Sequence, residues 1–140
     1  MIYESKVSFT KIDNKGNDKV IDKVIKEKYL VAEAETFGDA EDLTFQFCEG
    51  ETDLDVIDVK RSKVKEIINS RSNDDDKIFI ADVETKTINE EGEDVEYVYK
   101  WALFAVDFDD AYRKVNEYLK QGYDMSCVGM KKTKFIDIIN

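Results

Sequence analysis

A shift of 71 positions lays the chain on itself. Residues 36–69 then align without a gap on residues 107–140. Nine of the 34 pairs are identical: Phe37/Phe108, Asp39/Asp110, Ala40/Ala111, Asp53/Asp124, Lys60/Lys131, Lys63/Lys134, Ile67/Ile138, Ile68/Ile139 and Asn69/Asn140. Ordinary composition gives on the order of two matches in such a window. The match runs upstream through Leu30-Val31-Ala32-Glu33-Ala34 and Trp101-Ala102-Leu103-Phe104-Ala105. Such a repeat restricts the fold strongly: each copy must form the same elements, and a unit this small cannot bury both its faces alone. The reading is a first repeat over 1–69, a linker over 70–76 and a second repeat over 77–140, together one compact domain.

Each copy reads as strand, turn, strand, helix, strand. Alternation around Val7 and Phe9 predicts a strand over about 3–12, and Leu30, Ala32 and Ala34 predict another over about 24–35. The second copy places its strands over about 77–88 and 94–106. Turn compositions separate them, Asp13-Asn14-Lys15-Gly16-Asn17-Asp18 and Asn89-Glu90-Glu91-Gly92-Glu93-Asp94. Thr36-x-x-Asp39 and Asp107-x-x-Asp110 resemble capping boxes and start the helices; Gly50 and Gly122 are placed to end them. The last strands fall over about 54–68 and 125–139. Their apolar phase switches partway, from Ile57 and Val59 to Val64 and Ile68, and from Val128 and Met130 to Phe135 and Ile139. A bulge near 61–63 and 132–134 explains the switch; a short helical turn is the alternative. The fold class is α+β, two β-β-α-β units in a pseudo-symmetric, mostly antiparallel arrangement with two helices. Trp101–Val106 is apolar on both faces, whereas the matched outer positions in the first copy are Val31, Glu33 and Glu35. That predicts deeper burial for the second copy, against the first or against another chain, and a homodimer.

The chemistry is narrowed by what is absent. There is no His, which removes His-based triads, general bases and metal ligands. Cys48 and Cys127 are far apart and read as reduced thiols, neither a disulfide nor a metal site. No GxGxxG, GxxxxGK[ST], GxSxG or HExxH occurs, and Ser and Thr are scattered with no base beside them. Asp13-Asn14-Lys15-Gly16 lacks the ligand alternation and closing Glu of a calcium loop. Asp39 and Asp110 are explained by capping, Asp53 and Asp124 by turns, and Asp74-Asp75-Asp76 reads as a solvated linker. No apolar run reaches the roughly 18 residues of a membrane span, and Met1-Ile2-Tyr3-Glu4-Ser5 has no signal-peptide character. The expectation is a non-enzymatic cytoplasmic protein with no cofactor, no metal and no membrane partner.

One positive feature stands out. Lys60, Arg61 and Lys63, followed by Lys65, recur as Lys131, Lys132 and Lys134 in a chain of net charge -11. Two such clusters suit a phosphate backbone. Tyr3, Phe9, Tyr29, Phe79, Tyr97 and Tyr99 lie on neighbouring strands, with Tyr97 and Tyr99 the candidates for stacking on bases. The same lysines also suit ordinary exposed strands, where they discourage edge pairing. The overall acidity supports a different partner: a face built from Glu33–Glu35, Glu41-Asp42, Glu49–Asp58 and Glu90–Asp94, docking on a basic protein.

Three segments carry a family resemblance: Lys28-Tyr29-Leu30-Val31-Ala32-Glu33-Ala34-Glu35-Thr36-Phe37-Gly38-Asp39-Ala40-Glu41, Val56-Ile57-Asp58-Val59-Lys60-Arg61-Ser62-Lys63 and Lys132-Thr133-Lys134-Phe135-Ile136-Asp137. Through them the chain resembles an uncharacterised family of small proteins, a domain of unknown function, from gut Bacteroidetes and their tailed phages, including crAss-like phages. The resemblance covers nearly the whole chain. It implies a phage or prophage origin and supplies no catalytic residues. The functional expectation is a phage-type protein that binds nucleic acid, single-stranded DNA first, through Lys60, Arg61, Lys63, Lys131, Lys132 and Lys134. The alternative is an acidic module binding a host protein or nucleotide, such as an inhibitor of a host defence system.

Overall fold

The computed structural model describes residues 1–15, 19–121 and 124–140. The chain runs β1 (Tyr3–Lys15), β2 (Lys19–Val31), α1 (Phe37–Phe47), β3 (Thr52–Arg61), β4 (Val64–Ile67), β5 (Lys77–Ile88), β6 (Asp94–Ala105), α2 (Phe108–Leu119), β7 (Met125–Lys132) and β8 (Phe135–Ile139). This is a mixed α+β fold with two helices and two four-stranded sheets, ordered β3-β1-β2-β8 and β4-β6-β5-β7. Two compact units result: Met1–Ser62 with Phe135–Asn140, and Lys63–Lys134. The repeat and the units divide the chain at different places, because each repeat's last segment lies in the other unit.

The helices form where their caps are. Thr36 holds an extended backbone and its Oγ1 accepts from the Asp39 N–H at 3.1 Å. Asp107 Oδ1 accepts from the Asp110 N–H at 2.8 Å. Asp110 Oδ2 accepts in return from the N–H of Val106, the residue before the cap, at 3.0 Å. After α1 the chain turns back through Gly50 at φ +103°, where a side chain would be strained. Gly122 and the turn residues 16–18 lie outside the described residues.

Each helix buries one stripe on its sheet. Ala40 and Thr44 are buried under α1, and Ala111, Val115 and Leu119 under α2. Two aromatic contacts recur in each unit at matching places. Tyr3 meets Phe37 at 5.2 Å as Phe79 meets Phe108 at 5.1 Å, and Tyr29 meets Phe47 at 5.4 Å as Trp101 meets Tyr118 at 5.4 Å, all edge-on. One core difference is polar. Thr44 donates to the Ala40 carbonyl at 2.7 Å and lies 2.8 Å from Ser5 Oγ, so its one proton leaves Ser5 as the donor between the two hydroxyls. Unit 2 has Val115 and Ala81 there, both fully buried.

The last strands differ from the expected single strands. The chain breaks at Ser62–Lys63 and again at Thr133–Lys134. Below the break it pairs with its own repeat, β3 with β1 and β7 with β5, antiparallel. Above it, β4 pairs parallel with β6 and β8 parallel with β2. The apolar phase switches because the chain changes sheets. The crossings are held alike: the Ser62 N–H donates to the Ile2 carbonyl at 3.0 Å, and the Thr133 N–H donates to the Ile78 carbonyl at 3.0 Å. Bulges do occur, but earlier. Ile57 and Val128, matched by the repeat, are skipped in the register of β3 and β7. Val56 and Val59 therefore face the core of unit 1, and Ile57 stays 41% exposed.

A one-residue slip also revises the burial contrast. Tyr29 pairs with Asp137 and Trp101 with Glu66, so the two middle strands correspond at an offset of 72 (101 minus 29), not 71. Ala102 therefore matches Leu30, and both are buried. The apolar second face belongs to both repeats.

Two outcomes test this fold. A chain ending at Lys134 loses the β8 partner of residues 28–31 and the buried Ile138 and Ile139; at about 2–5 kcal/mol per buried isoleucine, hydrogen exchange should accelerate in β2 while Trp101 fluorescence in unit 2 stays native. Equal loss in both units would contradict the exchange of strands. Separately, Asp110 sits below its ordinary 3.8, at about 2, through the Val106 N–H and the Arg113 and Lys114 side chains. A depressed carboxyl stabilises the fold above its unfolded pKa. Unfolding midpoints should therefore fall as pH drops from about 4 toward 2, and Asp110→Ala, costing about 1 kcal/mol at neutral pH, should flatten that slope.

Candidate functional site

Both basic clusters lie at the strand crossings, and the first is divided between the units. Lys60 and Arg61 end β3 in unit 1, whereas Lys63 precedes β4 in unit 2; Lys131 and Lys132 end β7 and Lys134 precedes β8, all three in unit 2. All six side chains are exposed. None forms an ion pair among the described residues. In unit 2, Lys63 lies at the β4 edge and Lys131 and Lys132 at the β7 edge. Three strand spacings separate those edges, about 14 Å.

Burial removes most of the aromatic candidates. Tyr3, Phe9, Tyr29 and Phe79 are at most 4% exposed. Tyr97 is 46% exposed and stacks on the half-buried Tyr99, with centroids 6.4 Å apart and rings 24° from parallel. Register places Tyr97 opposite Thr85, while Lys132 is opposite Phe79. Six residues of β5 separate those positions, about 20 Å. Lys63 comes nearer, because Val64 pairs with Lys100, the neighbour of Tyr99. The structure thus brings one of the six cationic residues toward the tyrosines.

Among the described residues, no three of Asp, Glu and Cys gather as metal ligands. Cys48 and Cys127 are free, and burial pushes both thiols up, away from the thiolate. Burial also raises the Tyr29 phenol, which donates to Glu27 at 2.6 Å. Asp76 corrects the solvated-linker expectation: it is 3% exposed. Its Oδ2 accepts from the Ser72 and Asn73 N–H groups at 2.9 and 3.0 Å, which outweighs burial and lowers its pKa. Arg71 donates to the Asp76 carbonyl at 2.7 Å and lies 4.8 Å from the Phe104 ring centre. The segment is a folded turn on unit 2. Among the described residues, no helix is long and apolar enough to cross a membrane.

The strongest surface feature is a separation of charge within unit 1. From Tyr29 to Val59 there are ten carboxylates, Glu33, Glu35, Asp39, Glu41, Asp42, Glu49, Glu51, Asp53, Asp55 and Asp58, and no Lys or Arg. All ten are exposed. They lie on α1, β3 and the turns around them. Phe37 and Phe47, each about half exposed, lean on Tyr3 and Tyr29, but Phe45, 48% exposed, has no ring partner among the described residues. On the helix Phe45 is flanked three and four residues back by Asp42 and Glu41, and Glu49 follows in the turn after it. The matched residues of α2 are Asn116, Tyr112, Arg113 and Lys120, so this character belongs to one repeat only. Residues 1–28 are the counterpart, with seven lysines against five carboxylates. Sequence reasoning listed the acidic segments and missed the lysines. A running charge count would have found both; register alone shows that Lys6 faces Lys28 and Lys11 faces Lys23.

No curated protein and no solved structure matches the chain. Over residues 1–140 it matches the family described as Domain of unknown function (DUF4494), and it belongs to that family.

Proposed function

We propose that the chain is a non-enzymatic binding module that docks a cationic protein through α1 and β3 of unit 1. The observation that carries this reading is the run of ten exposed carboxylates uninterrupted by Lys or Arg in sequence, with Glu41, Asp42 and Glu49 three or four residues from an exposed Phe45. Like charges crowded along α1 and its flanking turns repel, and that strain is relieved when a basic surface covers them. The aromatic ring supplies the apolar anchor that charge alone lacks. The phage origin implied by the resemblance makes a host protein, such as a component of a defence system, the natural class of partner. The probe is a synthetic amphipathic peptide of alternating lysine and leucine clusters, measured by calorimetry at low and high salt. The peptide should bind, more weakly with salt. Phe45→Ser should weaken it about tenfold, the loss of one aromatic anchor's roughly 1.5–3 kcal/mol after partial exposure. Absence of binding at low salt, or indifference to Phe45→Ser, would remove this reading.

A second reading is single-stranded DNA binding. It is favoured by six exposed cationic side chains free of ion pairs among the described residues. Lys60, Arg61, Lys63, Lys131, Lys132 and Lys134 would meet phosphates, with Tyr97 and Tyr99 as a stacking step. Fluorescence anisotropy of a labelled oligonucleotide should then fall steeply with salt. Reversing all six charges should abolish binding; unchanged affinity would exclude the assignment.

A further inference from the structure

The fold of unit 1 supplies a cationic partner for its own acidic face. The β1–β2 hairpin outruns its neighbour: β3 stops pairing at Thr10↔Thr52, and five more register pairs follow, from Lys11↔Lys23 to Lys15↔Lys19. That extension is a two-stranded arm about 17 Å long. Lysines stand directly opposite lysines at Lys6↔Lys28 and Lys11↔Lys23, and Lys6 also stands opposite Asp58 of β3. Like charges at such positions destabilise a strand pair. Lys11, Lys23, Lys26 and Lys28 are exposed, and none forms an ion pair among the described residues. Val24, 68% exposed, shares its face of the hairpin with Lys26 and Lys28, while Lys11 and Lys23 lie on the other face.

We propose that a second copy of the chain occupies the acidic surface of α1, its β1–β2 hairpin lying against the helix with Lys26 and Lys28 toward Glu41, Asp42 and Glu49 and Val24 near Phe45. This rests on the reading of that face as a docking surface. Symmetric pairing of two acidic faces would set carboxylates against carboxylates with no cation between them, so the hairpin of one copy meets the acidic face of another. Repeated head to tail, that contact grows into chains or closes into a ring. Both charge strains, lysine against lysine on the arm and carboxylate against carboxylate on the face, are relieved in one contact.

Sedimentation velocity over a concentration series tests it, with variants that damage one surface each. The arm variant carries Lys11→Glu, Lys23→Glu, Lys26→Glu and Lys28→Glu. The face variant carries Phe45→Ser, Glu41→Gln, Asp42→Asn and Glu49→Gln. The wild-type chain should associate at low salt and dissociate at high salt. Each variant alone should be monomeric. Their mixture should form a one-to-one heterodimer and nothing larger, because one intact arm meets one intact face. Gln at the four lysine positions keeps the test valid if the reversed strand does not fold. A wild-type chain that stays monomeric, or association that survives in both variants, overturns the proposal. If the lysine–leucine peptide still binds the wild-type chain, only the second-copy assignment falls; if it does not, the docking role falls too.

Discussion

Each sheet is completed by a strand that the sequence repeat assigns elsewhere. β8, at the end of the second repeat, closes the sheet of unit 1 against β2, and β4 closes that of unit 2 against β6. The pairing decides which residues are core. Leu30, Val31, Ile138 and Ile139 are buried in unit 1, and Val64 and Ala102 in unit 2. Asn69 extends the second closure: its side-chain amide donates to the Phe104 carbonyl at 2.9 Å and accepts from the Phe104 N–H at 2.7 Å, as one more ladder residue would. Unit 1 cannot finish folding until the C-terminal strand arrives from more than a hundred residues away, a long-range closure that slows folding.

The residues that hold this arrangement are repeated, and the rest follow from them. Phe37 and Phe108 anchor the start of each helix, Phe47 and Tyr118 the end, each edge-on to a strand aromatic. The bulges at Ile57 and Val128 rotate the edge strands so that Val59 and Met130 reach the cores. Asp53 takes φ 55° at the start of β3, a left-handed conformation that Asp tolerates better than most residues.

How much of this was legible follows from which signals are local. Helix starts were readable because a cap acts within four residues, and Thr36 and Asp107 do what their spacing predicts. The strand crossings were visible only as a change of phase, which a bulge and a change of sheet produce alike. The offset of 72 was hidden because gapless alignment favours a single shift, yet one residue of slip moves every side chain of a strand to the other face. That slip made Glu33 and Glu35 look like partners of Phe104 and Val106. The basic clusters looked contiguous because Lys60 and Lys63 are three residues apart, but the break between them sends the chain into another sheet. The opposed lysines of β1 and β2 depend on register and so have no sequence signal beyond their number.

Two copies of one unit also separate scaffold from specialisation. Where the repeats agree, at caps, aromatic anchors, bulges and crossings, the residues serve folding. Where they differ on the surface, folding does not require the difference. α1 presents Phe45 among Glu41, Asp42 and Glu49, while α2 presents Asn116 among Tyr112, Arg113 and Lys120. Arg113 is held by Asp110 at 2.6 Å and Glu117 at 3.2 Å, so α2 balances its charges and α1 does not. An unbalanced, aromatic-bearing helix on a scaffold that also supports a balanced one is a surface under a demand other than stability. The basic residues at the crossings recur in both copies and sit where the backbone leaves one sheet for another, a position with a structural use of its own. Divergence, more than repetition, therefore directs attention to α1 and β3.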